Sequence, residues 1–181
     1  MQLTVVRHTQ VDVPKGICYG VTDVPLAKEG VLALNDVAEQ FENKRFDAVF
    51  SSPLSRCRIL AGKLAAGQSV MIDERLCELD FGDWEMKPWS EIYESEAGKL
   101  WFADYIHTAC PNGRSYRNMV HDVTSFLNDL KQRNYQQVLI VTHAGVLRIL
   151  IALLENKTTE ETFETALRYG EIRQFSLNIT R

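Results

Sequence analysis

No apolar run in this chain is long enough to span a bilayer. Met1-Gln2 leads straight into β-branched residues, with neither the basic segment nor the extended apolar segment of a secretory leader. A long basic stretch is missing too. With a formal net charge of −4, a nucleic-acid footprint finds no support, and any bound anion must be held by local positive charge. Cysteine is sparse: Cys18, Cys57, Cys77 and Cys110 lie far apart and form no C-x-x-C pair. That argues against zinc and for a cytoplasmic chain with reduced thiols. No magnesium motif is evident, so neither a metal nor a cofactor is expected. Repeats, low-complexity tracts and linkers are absent as well.

What is present has the composition of a soluble globular protein, with 181 residues, 45% hydrophobic and 24% charged. That suffices for one domain over residues 1–181 with a sizeable core, and is too short for two.

One arrangement occurs three times. Leu3-Thr4-Val5-Val6 reads as a buried strand and stops at Arg7-His8-Thr9. Phe46 to Phe50 reads as a second strand, running into Ser51-Ser52-Pro53. A helix is expected there from about Leu54 to Ala66, with serine at the cap, proline in the first turn and Arg56 close behind. Val138 to Val141 is the strongest strand signal and the expected sheet centre. It ends in Thr142-His143, followed by an apolar helix from Val146 to Leu154. In open α/β sheets, ligands bind outside the carboxyl ends of the strands. If the three strands are parallel neighbours, right-handed crossovers bring Arg7, His8, Arg56 and His143 to one edge, together with two helix N-termini.

The remaining segments are read more coarsely. Gln10 to Pro25 is a polar loop leaving the first strand end, and Tyr19 and Gly20 are candidates for lining the site. An amphipathic helix is expected from Gly30 to Asn43 and a short strand from Ser69 to Ile72. Glu78 to Glu85 packs four carboxylates, two aromatics and a glycine into a partly buried loop. Pro88 opens a helix whose stripe of Trp89, Ile92, Tyr93, Ala97, Leu100, Trp101 and Tyr105 faces the core, with one or two edge residues able to touch substrate. Ser115 caps a helix running to Asn134. Phe175, Leu177 and Ile179 alternate with polar residues as a half-exposed strand. Arg58 and Arg148 read as surface or structural charges, and His107 and His121 as hydrogen-bonded structural residues.

Two guanidiniums and two imidazoles at one edge suit a phosphoryl group, whose charge spreads over three equatorial oxygens. A histidine acting as covalent nucleophile, His8 here, splits the transfer into two easier steps. It must be neutral at one ring nitrogen, with a hydrogen bond at the other setting the tautomer. The leaving alkoxide needs a proton. Glu78, Asp80, Asp83 and Glu85 are all candidate donors, and the donor needs a raised pKa.

At these residues the chain resembles the histidine phosphatase superfamily, the phosphoglycerate mutase-like proteins. The matching segments are Arg7-His8-Thr9, Ser52-Pro53-Leu54-Ser55-Arg56, Glu78 to Trp84, and Thr142-His143, in the family's order. The resemblance implies a three-layer α/β/α sandwich with a mostly parallel central sheet and no metal. It implies His8 as the phosphorylated nucleophile, Arg7, Arg56 and His143 as the phosphate pocket, and Glu78 as the proton donor. Cys18 to Leu26 and Phe81 to Met86 are most similar to α-ribazole phosphatases, which implies hydrolysis of α-ribazole 5′-phosphate in cobalamin assembly. Met86 stands where a glycine is common, and Arg114 where a glutamate is usual. A broad-specificity sugar or nucleotide phosphatase, and a non-catalytic phosphate-binding protein on the same fold, are the competing readings. The expected partner is a small phosphorylated substrate, not a nucleic acid or a membrane.

Overall fold

Side-chain alternation along the strands decides how the layers stack. Leu3 and Val5 of β1 (Gln2–Arg7) share one apolar cluster with Val138 and Ile140 of β4 (Gln137–Thr142). Val6, Leu139 and Val141 lie in the cluster on the other face. Both strands are apolar on both sides, as a sheet covered by helices on two faces requires. The structure, a computed structural model, describes residues 1–178. Its sheet has five strands in the order β3-β2-β4-β1-β5, with β2 at Ala48–Ser51, β3 at Val70–Ile72 and β5 at Ile172–Ser176. The first four run parallel, β4 is central, and β5 is antiparallel to β1.

Helices α1 (Lys28–Glu39) and α2 (Ser55–Leu64) cover one face. Helices α5 (Tyr116–Lys131) and α6 (Ala144–Glu155) cover the other. The architecture is therefore the expected α/β/α sandwich with a mostly parallel sheet. Among the described residues, no helix is long and apolar enough to cross a membrane.

Several boundaries differ from expectation for identifiable reasons. Helix α1 starts two residues early and stops at Glu39, and the chain turns through left-handed Asn43 (φ 64°). Strand β2 starts at Ala48 because Asp47 turns its carboxylate onto the N–H groups of Gln136 and Gln137. Helix α2 has Leu54 at its N-cap and no serine cap. The cap comes from Asp23, whose carboxylate accepts from Ser55 N and Oγ, both at 2.8 Å.

The single aromatic helix after Pro88 is two helices, α3 (Trp89–Glu94) and α4 (Glu96–Ala103). Ser95 ends the first by donating to the Ile92 carbonyl and caps the second by accepting from Gly98 N. The break disperses the stripe. Ile92 and Trp101 are buried, while Tyr93, Ala97 and Leu100 are exposed. Ser115 caps α5 in a capping box with Asn118. A short helix, α7 (Thr159–Glu164), was not anticipated. Ile179 and Thr180 of the expected last strand lie outside the described residues.

Candidate active site

The strand register builds the site. Arg7 of β1 lies opposite Thr142 of β4, so the next residues, His8 and His143, leave the sheet side by side. On the other flank Ser51 lies opposite Val141, which sets Ser52 beside His143. The rings of His8 and His143 are 5.2 Å apart between centroids. His143 Nε2 and Ser52 Oγ are 2.7 Å apart, and the Cys57 sulfur approaches the same nitrogen at 3.5 Å.

His8 Nδ1 lies 2.8 Å from the Thr9 carbonyl, which can only accept, so Nδ1 carries the proton. Nε2 is left with its lone pair. Burial, opposed by that bond and reinforced by Arg56 and Arg7, pulls the His8 pKa down to about 3. Burial, then His8, Arg56 and Arg7, holds His143 well below the ordinary imidazole value. Both rings are neutral near pH 7, and the His8 Nε2 lone pair is available to an electrophile.

The guanidiniums are held by main-chain oxygens. Arg56, fully buried, donates to the carbonyls of Gly20 (2.5 Å) and Thr22 (2.8 Å). Arg7 donates to the Leu167 carbonyl at 2.7 Å and lies 4.1 Å from the centre of the Tyr169 ring. The Tyr169 hydroxyl meets that of Tyr19 at 2.9 Å. Among the described residues neither arginine pairs with a carboxylate, and the Nε of each is buried without a partner. Two unneutralised cations, Arg56 fully buried and Arg7 half-buried, are costly and make a strong site for an anion.

The two helix N-termini expected to add N–H groups to that site each have one N–H already engaged. Asp23 takes the first N–H of α2, and Glu78 Oε2 accepts from Gly145 N of α6 at 3.0 Å. A Cβ on Gly145 would collide with the Glu78 carboxyl, so that position must be glycine for the carboxyl to sit there.

Four carboxylates that looked equivalent in sequence separate here. Glu78 lines the main cavity. Asp80 accepts from Gly82 N and Asp83 from Asn112 Nδ2. Glu85 accepts from the N–H groups of Gly20, Val21, Thr22 and Phe81 and from the Thr22 hydroxyl. It therefore fixes the loop whose carbonyls aim Arg56.

The main cavity is about 440 Å³. Arg7, His8, Arg56 and Glu78 line it at one end, with Tyr19 beside them, and Phe81, Trp89, Trp101, Tyr105, Tyr116 and Phe163 form much of the rest. Gly20 does not line it. Its N–H and carbonyl are bound by Glu85 and Arg56, and a Cβ there would strike the Leu79 carbonyl. His143 is not in the lining either, since its ring lies beside His8 and beneath Ser52. Arg148 does line the cavity, yet its guanidinium donates to the carbonyls of Thr162 and Thr165, a structural role. Arg58 is exposed, His107 pairs with Asp104, and exposed His121 lies 3.7 Å from Asp122. Sequence reading missed Phe163 and Tyr169, and the roles of Ser52 beside His143 and of Glu85 as the loop's clamp. Ser52 left a signal as the first residue past a strand end and Glu85 as one of four clustered carboxylates, while Phe163 and Tyr169 left none. Among the described residues, no group of three or more histidine, cysteine or acidic side chains could hold a metal ion.

A model of the histidine phosphatase superfamily, branch 1, matches residues 3–179. The chain is 32% identical over 158 residues to a putative phosphoserine phosphatase 2 of Hydrogenobacter thermophilus, covering 84% of this chain and 78% of that protein. It is 30% identical over 177 residues to the adenosylcobalamin/α-ribazole phosphatase of Escherichia coli, covering 94% and 87%. The crystal structure of the α-ribazole phosphatase from Shigella flexneri superposes with a TM-score of 0.89 at 28% identity, covering 98% of this chain and 91% of that one.

Proposed function

This chain belongs to the histidine phosphatase superfamily, and on that premise we propose that it hydrolyses α-ribazole 5′-phosphate through a phosphohistidine at His8, without a metal. The observation that carries this reading is the division of the cavity into a cationic end and an aromatic remainder. Its volume of about 440 Å³ falls in the range of roughly 300–1,000 Å³ usual for small-molecule sites. α-Ribazole presents a flat, apolar benzimidazole to such a wall. Phosphoserine instead presents an ammonium and a carboxylate, which the aromatic side chains would strip of water with little return, since Arg148, the cation among them, is held by main-chain carbonyls.

In the first step His8 Nε2 attacks phosphorus and the P–O bond to the leaving group breaks. Glu78 gives its proton to the departing oxygen. In the second step Glu78 takes a proton from water, the water oxygen bonds to phosphorus, and the P–N bond breaks with its electron pair returning to Nε2. Arg7 and Arg56 stabilise the oxygens in transit, while neutral His143, bonded to Ser52, holds its ring against His8. Their mutual placement is fixed before substrate arrives, so little reorganisation is needed as charge develops.

Two measurements test the reading. Turnover of an aryl phosphate with chelator present should persist in the parent protein and fall by several orders of magnitude in His8→Ala. Undiminished turnover in that variant overturns the nucleophile assignment. The profile of kcat/KM over α-ribazole 5′-phosphate, phosphoserine, sugar phosphates and mononucleotides should peak at the first. A flat profile, or a peak at phosphoserine, removes the ribazole assignment.

A further inference from the structure

Glu78 lines two cavities. Beside the main one lies a second of about 200 Å³, and the two share Glu78, Leu79 and Met119 in their walls. They differ in chemistry. The second has no aromatic residue in its lining and is faced by Glu74, Asp80, Asp122 and Arg114. Glu74 and Arg114 are exposed, so this cavity opens to solvent along its own edge, where Arg114 donates to Asp122 at 2.6 Å. Its volume has room for several waters at about 30 Å³ each, and carboxylates and a guanidinium supply the polar partners that ordered water needs.

We propose that this second cavity is the entrance for the hydrolytic water, a polar route to Glu78 separate from the aromatic route taken by substrate. The inference rests on the reading of Glu78 as acid and base. After the first step the alcohol still fills the main cavity, and Glu78 has just given up its proton. If water had to enter through the main cavity, it would wait for the alcohol to leave, and the alcohol could meanwhile take the phosphoryl group back. Water arriving from the second cavity reaches the Glu78 carboxylate while the alcohol is still in the main cavity, and takes the place opposite His8 Nε2 as the alcohol oxygen draws back from phosphorus. One of its protons passes to Glu78, its oxygen attacks phosphorus, and the bond to His8 Nε2 breaks. The second cavity thereby favours hydrolysis over transfer to an alcohol.

The test is a partition measurement. With 2-phenylethyl phosphate as donor and benzyl alcohol as acceptor, the ratio of benzyl phosphate to inorganic phosphate formed reports how well an alcohol in the aromatic cavity competes with water. Asp122→Phe narrows the second cavity from α5, and Glu74→Phe narrows it from a different segment. Both should raise the ratio at least threefold, while Asp122→Asn, which keeps the volume, leaves it at the parent value. First-turnover release of 2-phenylethanol at the parent rate identifies a folded, phosphorylatable variant. A parent ratio in both phenylalanine variants overturns the proposal. Glu78→Gln tests the underlying reading separately. It should slow that first release at least a hundredfold, and an unslowed release overturns the acid–base assignment instead.

Discussion

Replacing Glu85 by glutamine removes one negative charge and turns one acceptor oxygen into an NH2 group, at almost constant volume. In the parent, Oε2 accepts from Gly20 N (3.0 Å), Thr22 N (3.2 Å) and Thr22 Oγ1 (2.5 Å). Oε1 accepts from Val21 N (3.1 Å) and Phe81 N (3.1 Å). In Glu85→Gln the remaining oxygen takes the richer set, and the amide nitrogen faces the N–H groups of Val21 and Phe81. Two donors then point at a donor. Each unsatisfied buried donor costs about 1–3 kcal/mol, and the half-buried setting argues for the lower part of that range. The expected loss is about 2–4 kcal/mol, which for a chain of this size lowers Tm by roughly 4–16 °C.

Catalysis should suffer beyond the stability loss, because the carbonyls of Gly20 and Thr22 aim the Arg56 guanidinium. With that loop loosened, kcat/KM at 25 °C should fall at least tenfold in a sample that is still folded. The effect has a pH signature. Burial pushes the Glu85 pKa up, but the Thr22 hydroxyl and three backbone N–H groups more than reverse it, leaving it below the ordinary 4.5. A depressed folded value contributes stability above the unfolded pKa and loses it as pH falls through the folded one. The Tm gap between parent and variant should therefore be full at pH 7 and close below about pH 4.5. A variant with parent Tm and parent kcat/KM would refute the assignment of Glu85 as the loop's clamp, and a gap that widens in acid would refute the electrostatics.

Three further outcomes follow from the same geometry. Met86 has φ 65°, in the left-handed region, where a side chain costs about 1–2 kcal/mol. Glycine gives back about 0.5–1 kcal/mol in chain entropy, so Met86→Gly should raise Tm by about 2 °C by calorimetry, and a fall would contradict the strain argument. His8 titrates near 3 when folded and near 6.5 when unfolded, so the unfolded chain binds the extra proton between those values. Stability of the unliganded protein should thus fall as pH drops from 6.5 towards 3, and urea midpoints at pH 7 and pH 5 should differ less in His8→Gln than in the parent. Tyr169→Ala strips the ring from beside Arg7, a contact worth about 0.5–2 kcal/mol, so the inhibition constant for inorganic phosphate should weaken about two- to thirtyfold. Tyr169→Phe keeps the ring and should shift it less, and equal losses in the two would place the effect in the hydroxyl instead.

The legible parts of this chain are those where a local pattern and a tertiary role coincide. The runs before Arg7 and His143 are apolar on both faces and stop abruptly at ionisable residues, which is how a central parallel strand meets a site at its carboxyl end. The spacing of Val123, Phe126, Leu127 and Leu130 marks α5 because one stripe is buried and the other is not. The helix break at Ser95 is harder to see. A serine is tolerated within a helix, and only its simultaneous bonds to the Ile92 carbonyl and the Gly98 N–H show that one helix ends and another begins there.

What the sequence hides is whatever the site takes from the main chain. Arg56 is aimed by two carbonyls and Arg7 by a third, and a carbonyl oxygen is the same whatever residue bears it. The side chains that position those carbonyls act over long separations. Glu85 reaches back to residues 20–22, and Asp23 caps a helix beginning at Ser55. Neither contact leaves a spacing that periodicity could detect. The acidic loop therefore looked like four interchangeable carboxylates, although one lines the main cavity, one clamps the arginine loop and two accept from Gly82 and Asn112. Reactive side chains are chosen for their chemistry and so appear as residue types. The residues that orient them are chosen by where the fold brings them, and they become visible only when distant backbone segments meet.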